Sequence, residues 1–285
     1  MKRRFILFTV IFSFLTWEPS ATPAISDFTT QKVEDFITYR VLLKSEDDET
    51  AYQMILSLRD EALAELPEHA IDFEQEECIL ESLYLLEYYE HVLNSSGNQK
   101  ELRTQIKNQM KKNVACIDSH KKKPVSEWLY QFTGDVTSYY MTRSVPATLL
   151  YGFKVKGYYE KSLEINKKRA TSLVCLGNWC FYAPGIAGGG KKKAKNYFEK
   201  ADSVAEIPGE KYLAYIGLSQ IYFENKKKDK AEEYLEKAME LDLGRKDLDL
   251  IALCNKKGYS YFQYLRNRSG IDEEMTEDEK DDEDK

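Results

Sequence analysis

Histidine is scarce in this 285-residue chain, with three copies, His69, His91 and His120, scattered along it. The five cysteines, Cys78, Cys116, Cys175, Cys180 and Cys254, include no CxxC pair. A zinc site recognisable from linear spacing needs tighter clusters than these, so neither a metal nor a cofactor is expected. There is no HExxH, no GxSxG, and no histidine close in sequence to a plausible nucleophile. Hydrolase chemistry has no foothold on those grounds, and the chain is not expected to be an enzyme. Strand patterning is almost absent. After residue 17 no apolar run approaches the roughly 20 residues that a membrane helix requires, so no transmembrane segment is expected in the mature chain.

A charge excess in the body is missing too. The whole chain carries −7, but residues 1–26 carry +2 and residues 272–285 carry −8, which leaves about −1 for residues 27–271. A near-neutral body lacks the electrostatic footprint of a nucleic-acid reader. The last stretch, Asp272 to Lys285, has no hydrophobic periodicity and is expected to be a disordered acidic tail.

What is present begins with an exported-protein signature. Lys2, Arg3 and Arg4 precede an apolar run from Phe5 to Trp17, followed by Pro19 and small residues. The run is too short to span a bilayer, which favours a cleaved secretory signal over residues 1–26, with the cut after Ala24 or Ser26. The protein is therefore expected in a periplasmic or secreted compartment. Disulfides can form there, and five cysteines leave at least one unpaired or joined to another chain. Cys175 and Cys254 read as small buried apolar residues.

The body alternates amphipathic runs with short polar breaks, as an all-helical chain does. Helices are expected at roughly 28–45, 49–66, 73–94, 98–115, 125–143, 146–167, 169–183, 191–206, 209–224, 227–242 and 246–267. Helix pairs at a recurring spacing call for a repeat search. Tyr215, Leu218, Ser219, Tyr222, Ala231, Leu235 and Ala238 fall at positions 4, 7, 8, 11, 20, 24 and 27 of a roughly 34-residue unit. This pattern resembles a tetratricopeptide repeat, in which small residues let two antiparallel helices approach and bulky ones fill the groove between them. Leu173, Leu176, Gly177 and Cys180, with Ala194, Phe198 and Ala201, trace a preceding unit once the loop Ala183–Gly190 is granted about three extra residues. The resemblance implies an all-α, right-handed α-solenoid over residues 27–271. Asp247–Arg266 is expected as a capping helix, because an open end of a repeat stack must be covered.

The inserted loop is the one unusual feature in the repeats. Trp179, Phe181 and Tyr182 lead into Ala183-Pro184-Gly185-Ile186-Ala187-Gly188-Gly189-Gly190, and Lys191 follows. The segment nearly spells the phosphate-binding GxxxxGK[ST], but Lys192 stands where a serine or threonine should hold magnesium, and a helix precedes it where a strand should. Long loops of odd composition in compact repeats often carry function. Trp179, Phe181, Tyr182, Gly188, Gly189 and Lys191 are accordingly the candidate ligand- or partner-binding residues. With the repeat, the loop resembles tetratricopeptide-like exported bacterial proteins, including those associated with tripartite ATP-independent periplasmic transporters. That resemblance implies a small-solute carrier or transporter accessory, whose partner would be a membrane transport component and whose ligand would be a small molecule. The lysine triplets at 121–123, 191–193 and 226–228 read as solvated turns. The 20 tyrosines read mostly as core, with outward ones available to line a groove. The leading expectation is an exported, non-catalytic adaptor that binds a protein or peptide through its concave face, with the carrier as the alternative.

Overall fold

The computed structural model describes residues 24–44, 46–94, 99–141 and 144–267. Most of the expected leader and all of the acidic tail at 272–285 lie outside the described residues. Among the described residues there are twelve α-helices and no strand. They are α1 (Asp27–Leu43), α2 (Asp48–His69), α3 (Phe73–Asn94), α4 (Gln99–Ser119), α5 (Glu127–Met141), α6 (Val145–Ile165), α7 (Ala170–Tyr182), α8 (Lys191–Val204), α9 (Pro208–Glu224), α10 (Lys228–Met239), α11 (Arg245–Lys256) and α12 (Tyr261–Arg266).

Local chemistry sets several of these boundaries. Ser26, Asp47, Ser144 and Ser260 cap α1, α2, α6 and α12, each side-chain oxygen accepting a backbone N–H of the first turn. Pro146 and Pro208 sit in the first turns of α6 and α9, where no intrahelical donor is lost. The single C-terminal helix expected at 246–267 is instead two. Gly258 adopts φ +93°, a left-handed turn that ends α11's run, and Ser260 with Gln263 then forms a reciprocal capping box that starts α12.

From α3 to α10 the chain forms four helix pairs stacked side by side, an α-solenoid of tetratricopeptide-like units. Of the inner helices, α3 packs on α5 and α7 on α9, while Thr171 and Ser172 of α7 donate to Gln131 of α5; α4, α6, α8 and α10 lie outside them. Small residues make the close approaches. The edge of the fully buried Phe198 ring enters the seam between α7 and α9, where Gly177 and Gly217 leave room; a methyl on either would meet the ring at 2.5 or 2.4 Å. Ser219 on α9 donates to the Ala231 carbonyl on α10 at 2.8 Å. Leu218, Ser219, Tyr222, Ala231, Leu235 and Ala238 are all buried, as the repeat register requires, and so are Leu173, Leu176, Gly177, Cys180, Ala194, Phe198 and Ala201 of the preceding unit.

The first helix does not join this succession. Phe36 packs edge-on against Tyr84 of α3, Tyr39 donates to the sulfur of Met54 on α2, and Thr38 Oγ1 accepts the backbone N–H of Gly209 on α9. Lys44 pairs with Asp247 of α11 at 2.7 Å. Helix α1 thus lies along the inner surface and ties the first inner helix to the last. Its buried residues, Thr29, Val33, Phe36, Ile37, Val41 and Leu43, with the half-buried Phe28 and Tyr39, take up more than half of the helix's circumference, and only Asp27, Gln31, Asp35 and Leu42 remain exposed. Its start is held by a buried carboxylate: Glu76 on α3 accepts from Ser26 Oγ, Thr29 Oγ1 and the backbone N–H groups of Ile71 and Asp72. Ile25 is buried and the Ala24 carbonyl accepts from Gln75, so residues 24–26 are built into the folded body.

Candidate functional site

Three surfaces compete for function: the concave face, the glycine loop and the outside of α6. The concave face is largely taken by α1. What remains is a shallow open hollow of about 380 Å³ along α1's exposed stripe, lined by Gln31, Asp35, Leu42 and the α9 entry residues Ile207 and Pro208. The concave face expected to receive a partner is therefore occupied by the chain's own helix, because α1 carries apolar residues on too many sides to lie on an open surface. Beneath it sits a buried polar knot. Asp135 on α5 accepts from Tyr159 at 2.8 Å and from the Cys175 thiol at 3.4 Å, and burial pushes its carboxyl above the usual range against those hydrogen bonds. Arg40 of α1 pairs with Glu87 of α3 at 2.9 Å. These groups join α5 to α6 and α7, and α1 to α3.

The glycine loop is a folded plug. Gly185–Ala187 makes one 3-10 turn, and Gly188 and Gly190 take left-handed φ values of +89° and +135° that favour glycine. A side chain at Gly189 would run into the Ala183 carbonyl oxygen at 1.9 Å. The backbone donors of Ala187, Gly188, Gly189 and Gly190 are all satisfied within the segment, by the carbonyls of Pro184, Gly185, Pro184 and Cys180. A phosphate cradle needs those N–H groups pointing outward, so the near-match to a P-loop has no counterpart in geometry. Lys191 pairs with Glu224 at 2.7 Å, and Lys193 donates to the Gly188 carbonyl.

The aromatic residues before the loop divide. Phe181 and Tyr182 close on Phe262 of α12, with ring centroids 4.4 and 6.0 Å away, and the Tyr182 hydroxyl donates to the Phe262 carbonyl. Trp179 turns the other way, donating its indole N–H to the Gly152 carbonyl of α6 at 2.9 Å and lying near Phe153. Of the six candidate residues, Phe181 and Tyr182 hold the C-terminal cap, Gly188 and Gly189 shape the turn, Lys191 ties the loop to α9, and Trp179 braces α6. Close by, Lys192, Lys195 and Lys227 line an open basic hollow of about 340 Å³ with Tyr222 and Asn225, so two of the three lysine triplets meet at one edge.

The outside of α6 was not singled out by sequence reasoning. Val145, Leu149, Leu150 and Phe153 are 73, 80, 63 and 67% exposed. At about 100° per residue these side chains and Pro146 cover an arc of about 140°, opposite the buried face of Ala147, Val155, Tyr159 and Ser162. Two lysines of α6 flank the stripe: Lys154 lies over Tyr151 and Lys156 over Trp179. The signal was present in the sequence, as apolar residues on both faces of one helix. Among the described residues, one group with metal-ligating atoms comes together, Glu74, Cys116 and His120, with those atoms all within 4.8 Å of one another. No helix among the described residues is long and apolar enough to cross a membrane.

Comparison with known proteins places one part of this fold in a named family. Residues 212–244, the α9–α10 unit and its exit turn, match the tetratricopeptide repeat family. That is the unit whose seven positions agree in sequence, and repeats of this kind support binding of a protein partner. Over 136 residues the chain is 28% identical to regulator of microtubule dynamics protein 1 of Bos taurus and to its Homo sapiens counterpart, and 27% identical to that of Pongo abelii. Each alignment covers 42% of this chain and 40% of the relative, so the chain spans well under half the length of the curated relatives it matches. All three relatives are mammalian, and the likeness does not bear on an association with bacterial transporters.

Proposed function

We propose that this protein is an exported, non-catalytic scaffold that holds a partner protein on the outer face of α6. The observation that carries the reading is the exposed stripe of Val145, Leu149, Leu150 and Phe153, an amount of contiguous apolar side chain that soluble proteins usually cover. A partner helix with its own apolar stripe and an acidic margin complements that face and its lysine border. The tetratricopeptide match supports a protein-binding role, and the self-filled concave groove directs it to the convex side. The matched relatives are named for regulating microtubule dynamics, which suits a protein that works through other proteins. Export rests on the sequence of residues 1–26.

The test is site-specific photo-cross-linking in the native host, with the reactive group at position 149 or 153 and a control at exposed Gln53 on α2. One polypeptide should be labelled from both α6 positions and not from 53. Its recovery should fall at least tenfold with Leu149→Asp/Phe153→Asp, while helical circular dichroism is unchanged. Equal labelling at 53, or an adduct consisting of a second copy of this chain, would overturn the proposal.

A further inference from the structure

We propose that Glu74, Cys116 and His120 form a three-ligand site for zinc at the corner where α2, α3 and α4 meet. Cys116 lies in the last turn of α4 and His120 directly follows the helix, its backbone N–H still donating to the Cys116 carbonyl, so the two side chains share one face. Their donor atoms, Cys116 Sγ and His120 Nδ1, are 3.8 Å apart. Tetrahedral zinc with Zn–S near 2.3 Å and Zn–N near 2.05 Å sets the two ligands roughly 3.6 Å apart, so the metal fits with little movement. Glu74, exposed on the first turn of α3, adds a carboxylate and faces the solvent from which an ion would arrive. Thiolate, imidazole and carboxylate together favour zinc over magnesium or calcium, which take oxygen ligands alone. Three protein ligands leave a coordination position to water.

The surroundings are organised as second shells of zinc sites are. His120 Nε2 is 2.9 Å from Asp72 Oδ2, a carboxylate that fixes the ring through Nε2 and makes Nδ1 the ligand atom, which a metal would draw from its 2.9 Å contact with the Ser119 hydroxyl. Nδ1 also lies 2.7 Å from the Cys116 carbonyl. That carbonyl keeps a partner when the metal takes Nδ1, because the Ser119 hydroxyl donates to it at 2.8 Å. The Cys78 side chain neighbours that of Cys116. Binding displaces the proton on Cys116 Sγ and any proton on His120 Nδ1 to solvent, and changes no oxidation state.

The full chain, stripped with a chelator and kept reduced, would be titrated with cobalt(II) as a spectroscopic stand-in and then with zinc. The expected result is one cobalt per chain, with a thiolate-to-cobalt charge-transfer band that one equivalent of zinc abolishes. Cys116→Ser should remove the band and Cys78→Ser should keep it. Asp72→Asn should weaken zinc binding about 10–100-fold. Glu74→Gln, at an exposed position that leaves the fold unchanged by circular dichroism, should weaken it at least tenfold. No charge-transfer band in the unaltered chain, a band that survives Cys116→Ser, or an unchanged zinc affinity in Glu74→Gln would each overturn the site.

Discussion

Replacing Gly217 by alanine tests the repeat packing through the sign of a stability change. In an exposed helix the substitution stabilises by about 1 kcal/mol, because alanine is the better helix former. Here the new methyl would lie 2.4 Å from Phe198 Cδ1 and 2.6 Å from Cε1, where carbon atoms prefer about 3.5–4.0 Å. Phe198 is fully buried and stacked near Phe262, and the same edge of its ring already meets Gly177 of α7, so it has little room to retreat. Overpacking of this kind costs about 1–3 kcal/mol, which equals or exceeds the helix gain. Gly217→Ala should therefore be net destabilising, by up to about 2 kcal/mol. In a Phe198→Val background, which lacks the offending ring edge, the same change should stabilise by about 1 kcal/mol. Urea unfolding followed by circular dichroism on all four proteins of the cycle measures both numbers and their coupling. Stabilisation by Gly217→Ala in both backgrounds would show that Phe198 does not fill the seam between α7 and α9.

Further expectations follow from other contacts. Ala231→Leu, at a buried small position facing α9, should cost about 1–3 kcal/mol in the same unfolding assay; an unchanged midpoint would move the repeat register. Gly209→Val drives a side chain into the Ile37 carbonyl, now 2.4 Å from where a Cβ would sit, and should loosen α1 from α9, seen as faster amide exchange along α1. Burial alone would raise the Glu127 carboxyl, but Arg169 at 2.8 Å outweighs it and holds the group below its ordinary value of 4.5. The stability from that pair is full above about pH 4.5 and drains away as pH falls through the folded-state value. The gap between the unaltered protein and Glu127→Gln should accordingly close on acidification; a gap that widens would refute the pairing. On the export reading proposed above, intact-mass analysis should find Ile25 rather than Asp27 as first residue, since a start at Asp27 discards the Ser26 cap that holds α1 to Glu76.

The helices and the repeat register were legible because both are local. Apolar spacing every three or four residues places α2 to α10 within a few residues of where they lie, and Leu218, Ser219 and Ala231 identify a unit by size alone. The place of α1 was not legible. Apolar residues on most of its sides say that it will be buried, but its partners at Gly209 and Asp247 are 171 and 203 positions away from Thr38 and Lys44. The glycines that nearly match a phosphate cradle serve a chain reversal whose donors are satisfied internally, in line with the departures from that motif at Lys192 and in the helix before it. On α6, Val145, Leu149, Leu150 and Phe153 did not stand out because periodicity counts apolar residues without knowing which face a neighbour covers. Cys116 and His120 share one face by spacing alone, but Glu74 joins them only through the packing of α3 on α4.

The tie made by α1 has a consequence for how the chain reaches this state. Ordinary repeat arrays are built from neighbours, so each unit can form as it is synthesised and fray without disturbing distant ones. Here α1, the first of the described helices, makes contacts with α9 and α11, 171 and 203 residues further along, and those contacts have a high contact order. The inner surface therefore stays uncovered until nearly the whole chain is available, and the array closes as a unit at that point. Fraying at the C-terminal end would in turn release the N-terminal helix, so the two ends of this solenoid share one stability.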